Sequence, residues 1–215
     1  MTKQSDAVWA EGDAAGGFPS ALTLTADTWY HFFAIGKTRN GTGGCDFGWD
    51  TSLSAANLLA DATAYSYYRR LCSMLTDGSA DWVPFTQQGD RFMWDDPVRD
   101  VNASNPGTSA VTAALSVPNG LQVLADISVS YTALDSGGPY GLILTSLDQT
   151  DTAPSTSFGD ILLGSGSTAT KDGVVSRLLR TDTSRQIRYR LASSGANHHV
   201  RILTHGWLDR RGQDD

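Results

Sequence analysis

Residues 27–37 read DTWYHFFAIGK, residues 45–55 read CDFGWDTSLSA, and residues 65–92 read YSYYRRLCSMLTDGSADWVPFTQQGDRF. These aromatic-rich runs are separated by Gly, Asn, Asp and Ser, as antiparallel strands joined by tight turns are. The run 29–37 is apolar on both faces, Tyr30, Phe32 and Ala34 on one and Trp29, Phe33 and Ile35 on the other, so it predicts a central strand. TRNGTGG (38–44) reads as a turn, and 45–50 as the partner strand. Residues 67–75 make the next strand. Asp77-Gly78 predicts a hairpin with 82–86 returning, and Gln88-Gly89-Asp90 a second turn into 91–94. Pro84 marks an edge or a bulge. Residues 51–64 are the most helix-like stretch, but they lack a capping box and predict a loop with at most one turn.

Outward from this stretch the same grammar continues. Residues 111–117 and 121–131 flank Pro118-Asn119-Gly120, a hairpin signal, and Leu121, Val123, Ala125, Ile127, Val129 and Tyr131 alternate onto one face. A strand at 140–147 follows the Gly137-Gly138-Pro139 turn. Residues 148–171 form a Ser/Thr/Gly-rich excursion around a short apolar piece at 161–163. Residues 174–180 and 185–191 read as one more pair, and 199–208 as a closing strand. The fold class expected is all-β, an antiparallel β-sandwich or jelly roll of short strands with little helix. Residues 1–20 read as a lead-in or attachment segment and 21–215 as the sandwich, with a subdomain break near the polar linker 95–110 (DDPVRDVNASNPGTSA).

Composition points the same way. Glu11 is the sole glutamate and Lys3, Lys37 and Lys171 the only lysines, so the best charged helix formers are nearly absent. The net charge of −7, without a basic stripe carrying interleaved aromatics, argues against a nucleic-acid partner. No apolar run approaches the roughly 20 residues of a membrane span. The first 13 residues have no apolar core of a signal peptide, so the chain reads as made in a cytosol. Cys45 and Cys72 accordingly read as buried reduced thiols, with a Cys45–Cys72 bridge as the alternative that spacing does not decide.

Motifs that would carry catalysis are missing: no phosphate loop, no G-x-S-x-G, no H-E-x-x-H. His198, His199 and His205 read as strand histidines rather than metal ligands, and no cofactor is expected. Asp95 and Asp96 lie near Trp82 and Trp94, as paired acids do in glycosidases. Adjacent strand residues, however, point to opposite faces, so the chain is read as a non-enzyme. Sugar binding without hydrolysis needs an aromatic plate and polar acceptors at its edge. Trp82, Trp94 and Tyr140, with Asp95 and Asp96, are the candidates. The arginines 177, 180, 185, 188, 190 and 201 read as a solvated face or subunit interface paired with Asp172 and Asp182.

TWYHFFAIGK, DFGWDTSLSA, Tyr68-Arg69-Arg70, TDGS, Pro84–Gln87 with Gly89-Asp90-Arg91-Phe92, the opening DAVWA and the closing Gly206–Gly212 together resemble the tail-fibre and head-fibre (spike) proteins of tailed phages and prophage-like elements. The likeness spans almost the whole chain and is weakest over 135–172. It implies a non-enzymatic virion component, homo-oligomeric and read as a trimer. Its implied partners are other virion proteins (capsid, tail or baseplate) and a host cell-surface polysaccharide. A free-standing lectin-like module is the alternative, and a polysaccharide depolymerase a more distant one.

Overall fold

The computed structural model describes residues 1–134, 138, 140–155, 157–164 and 170–211. Strand makes up 52% of it and helix 3%, in several antiparallel sheets packed together, so the all-β sandwich-like class holds. Two compact units emerge: Met1–Val83 with Arg211–Asp215, and Pro84–Arg210. Among the described residues no helix is long and apolar enough to cross a membrane.

The first unit is built on β3 (Trp29–Gly36), flanked by β4 (Cys45–Asp50) and β5 (Tyr67–Leu75) in an antiparallel sheet of order β4-β3-β5. The two-sided apolar pattern of β3 therefore does mark a central strand. One face packs Phe33 and Ile35 against Leu58 and Tyr65, and the other packs Tyr30 and Trp49 against Phe18. Gly48 lets the layers close up, since a Cβ there would lie 2.5 Å from Leu58 Cδ1 and 2.8 Å from Gly17 O.

The helix-like segment does contain a helix, α1 (Ala56–Asp61). It has no cap of its own; the cap comes from β4. Buried Asp50 accepts from Leu58 N and Asn57 Nδ2, both at 2.8 Å, and from Ser52 N at 2.8 Å. A carboxylate from the preceding strand thus satisfies the Leu58 amide of the first turn, which local sequence leaves orphaned.

Residues 1–20, read as a lead-in, instead carry β1 (Lys3–Val8) and β2 (Ala15–Phe18), a parallel pair. Lys3 holds them to β4. Its side chain and that of Asp46 are each 1% exposed, with Nζ and Oδ1 2.8 Å apart, and Nζ also donates to Ala10 O at 2.6 Å. Asp46 further accepts from Gly12 N at 2.9 Å and Phe47 N at 2.7 Å. Nearby, Tyr65 donates to Glu11, which also receives Lys37 Nζ at 2.7 Å. Burial, followed by that bond to Glu11, pushes the Tyr65 phenol up to about 12. Lys37 and Tyr65 in turn hold the Glu11 carboxyl below its ordinary value.

Two local expectations of this unit need correction. Cys45 is exposed and Cys72 half-buried, and neither is in a disulfide; Cys45 is exposed because it opens β4 straight after the 38–44 turn. The Asp77-Gly78 turn closes a single bridge, Thr76 to Trp82, and residues 82–84 are not in a strand. Phe85 instead starts a strand of the second unit.

That unit pairs two sheets. The first has order β12-β9-β14-β7-β6 and the second β11-β10-β13-β8. The first comprises β6 (Phe85–Gln88), β7 (Arg91–Ser104), β9 (Leu124–Ala133), β12 (Lys171–Arg180) and β14 (His198–Leu208). The second comprises β8 (Val111–Ala114), β10 (Tyr140–Ser146), β11 (Ile161–Leu163) and β13 (Gln186–Leu191). Alternation on β9 is realised: Ala125, Ile127, Val129 and Tyr131 are buried, as is Val123 just before the strand, while Leu121 is half-buried. Their opposite numbers in the core include Leu142, Leu144, Ile187, Tyr189 and Leu191 of the second sheet.

Pairing departs from the sequence reading in three places. Residues 95–104 are not linker but the body of β7, which reads as polar because its outward positions are charged. Between Met93↔Gly206 and Val98↔Thr204 β7 bulges, and Pro97, which has no N–H for a ladder, sits in that bulge. The 118–120 turn does not join a hairpin: β8 pairs with β13 and β9 with β12 and β14, so the chain changes sheets there, burying Leu115 and Val117 on the way. Likewise β12 and β13 lie in different sheets. Gly137 and Pro139 of the expected turn, and Gly212 of the closing motif, lie outside the described residues.

Candidate functional site

The aromatic candidates are mostly core. Trp94 is buried, donates Nε1–H to Ser116 O at 2.9 Å, and packs on Trp207 with centroids 5.0 Å apart. Tyr140 is buried edge-on to His198 at 4.8 Å, with Lys171 Nζ 5.2 Å from its ring centroid. Trp82 belongs to the first unit, half-buried, stacked at 6.2 Å on Trp49 and edge-on to Tyr30 at 5.6 Å. Asp95 and Asp96 are exposed in the β7 bulge, and Asp95 receives only a 3.5 Å contact from Thr86 Oγ1. Trp94 and Tyr140 stand on different sheets of the second unit, and Trp82 belongs to the first.

The histidines bond to hydroxyls. His198 Nδ1 lies 2.8 Å from Tyr131 Oη, His199 Nδ1 3.0 Å from Ser104 Oγ, and His205 Nε2 2.9 Å from Ser128 Oγ. Among the described residues no three His, Cys, Asp or Glu side chains are grouped to hold a metal.

A pocket of about 340 Å³ opens elsewhere in the second unit, where β10 runs on past the end of β11. The β11 ladder reaches only Tyr140 to Leu142. At Leu144 two side chains take the place of the missing strand. Asp160 accepts from Leu144 N at 2.7 Å, and Arg177 Nη1 reaches toward Leu144 O at 3.5 Å. Arg177 and Asp160 are ion-paired to each other. The remaining wall comes from the 148–160 excursion: Gln149, Thr150, Thr152 and Phe158.

That excursion is fastened at several points. Asp148 pairs with Arg180 at 3.4 Å, Asp151 with Arg190 at 2.9 Å, and Asp160 with Arg177, while Arg188 Nη1 donates to Gln149 O at 3.0 Å. Four arginines of the cluster, Arg177, Arg180, Arg188 and Arg190, therefore bind the loop, and among the described residues no ion pair to Asp172 or Asp182 accompanies them. Singly, such partly exposed pairs contribute about 0–1 kcal/mol each. Three of them tie Asp148, Asp151 and Asp160 of one loop to neighbouring strands. Two glycines permit its close approach: a Cβ on Gly141 would sit 2.7 Å from Ser155 O, and one on Gly159 would sit 2.8 Å from Leu142 O.

Phe158 occupies the tip of this anchored loop. Its carbonyl accepts from Ser155 N at 2.8 Å, and the next turn is held by Asp160 N donating to Leu142 O at 2.8 Å. Its ring is nevertheless 54% exposed. A large apolar side chain is thus exposed beside a carboxylate, a guanidinium, an amide and hydroxyls, groups of the kinds that line recognition sites. Sequence reading locates the excursion but passes over its residues. The one usable signal is a single aromatic, Phe158, inside a Ser/Thr-rich loop. No family model and no curated protein sequence matches this chain.

Proposed function

We propose that the chain is a fibre or spike component of a tailed-phage virion that contributes to host-surface attachment. The observation that carries this reading is the exposed Phe158 over a polar pocket, on a loop fastened by three arginine–aspartate pairs. Such an arrangement presents a binding surface with little ordering cost left to pay on contact. The phage-fibre wording of residues 27–92 and the closing strand supports the virion assignment, and an all-β domain with broad sheets suits association about an axis. A homotrimer multiplies weak contacts through avidity.

The test has two parts. Mass spectrometry of purified particles is expected to find the chain, and light scattering of the purified protein is expected to give a stable oligomer. A stable monomer absent from particles refutes the proposal. The lectin-like alternative is favoured by the same pocket, and it predicts sugar binding by a protein that particles lack.

A further inference from the structure

We infer that the pocket between β10 and the 148–160 loop binds a neutral hexopyranose unit of a surface polysaccharide. The choice of polysaccharide as the source rests on the attachment reading above; the choice of a neutral pyranose rests on the pocket itself. Its volume, about 340 Å³, lies at the lower end of the roughly 300–1,000 Å³ typical of small-molecule sites, suited to one or two sugar rings.

The polar groups decide the charge of the ligand. Arg177 spends Nη1 on Asp160 and Leu144 O. Among the described residues its Nε and Nη2 take no partner. Each Asp160 oxygen accepts one bond, from Leu144 N or from Arg177, and keeps a lone pair. The pair as a whole is neutral. It thus offers donors and acceptors side by side, which matches adjacent hydroxyls, each able to accept from the guanidinium and donate to the carboxylate. An anionic ligand would gain Arg177 but meet Asp160 directly beside it. Gln149 places its Oε1 on Ser146 N at 3.1 Å, which fixes the amide and turns its NH₂ to further acceptors. The Phe158 ring supplies the flat apolar plate on which the C–H face of a pyranose packs.

Saturation-transfer NMR on the full chain, with methyl glucoside, methyl galactoside, methyl mannoside, glucuronate and inorganic phosphate as probes, tests this. Transfer to at least one neutral methyl hexoside is expected, with weaker or no transfer to glucuronate and no competition by phosphate. Phe158→Ala is expected to weaken binding at least about fivefold and Phe158→Trp to retain it. Because the ring is exposed, both variants should keep the wild-type circular dichroism, so a loss is not one of folding. No transfer to any neutral hexoside, a preference for glucuronate or phosphate, or unchanged binding by Phe158→Ala overturns the inference. Failure here with the chain present in particles leaves the virion reading standing. Sugar binding by a chain absent from particles does the reverse.

Discussion

Removing the Asp46 carboxylate should undo much of the first unit. The side chains of Lys3 and Asp46 are both 1% exposed, and the same carboxylate also holds Gly12 N and Phe47 N. In Asp46→Ala the Lys3 ammonium keeps only the Ala10 carbonyl and the nearby Trp9 ring, and two amides lose their acceptor. Breaking a buried pair from one side costs about 3–5 kcal/mol, a large share of the 5–15 kcal/mol typical of a whole domain. Lys3→Met should cost less, because Asp46 retains two N–H donors. The double variant Lys3→Met/Asp46→Asn should be less damaged than the sum of its parts, since no unpaired charge remains and the amide oxygen still accepts. Hydrogen exchange followed peptide by peptide separates this unit from the other. In Asp46→Ala the β3 amides that exchange only through opening of this unit should exchange faster by about two to three and a half orders of magnitude, while β9 amides stay unchanged. A β3 change below about fivefold, or strict additivity in the double variant, would refute the reasoning.

Other outcomes follow from single contacts. Asp50→Ala strips three donors of their shared acceptor and should destabilise by at least about 2 kcal/mol in urea denaturation, with Asp50→Asn milder. Tyr65 prefers its protonated form in the fold, so its contribution is complete below pH 10 and fades as pH rises toward about 12; a late phenol titration at 295 nm should vanish in Tyr65→Phe. Glu11 acts in the opposite sense: its pairing with Lys37 stabilises above the ordinary carboxylate value and is lost on acidification through its lowered one, seen as a Glu11→Gln variant with a flatter acid limb. Gly159→Ala would place a methyl 2.8 Å from Leu142 O, so amides of 157–160 should exchange faster and sugar binding should fall. Cys45 should react with a thiol reagent well before Cys72.

Most strands were legible because their patterns are local. The two-sided apolar run of β3 and the long alternation of β9 need no knowledge of partners. Pairing was less legible, since the Pro118-Asn119-Gly120 turn looks alike whether it joins neighbours or carries the chain between sheets. The body of β7 escaped because its charged outward residues mimic a linker. Asp46 and Asp50 were invisible as structural residues: their roles depend on Lys3 and Leu58, which only the fold brings near. The burial of the aromatic candidates was hidden for a related reason. Large aromatics such as Trp94 are what a core also demands, whereas Phe158 sits in a stretch with no periodicity to flag it.

The fastening of the 148–160 loop separates two tasks that many sites combine. Arg177, Arg180, Arg188, Arg190, Gly141 and Gly159 set where the loop lies, while Phe158, Thr150 and Thr152 line the pocket and make none of these ties to the strands. Substitutions at those three positions can therefore retune what is recognised at little expense to folding. In the attachment role proposed above, this would be a route to new hosts by point mutation, with the β framework passed on unaltered.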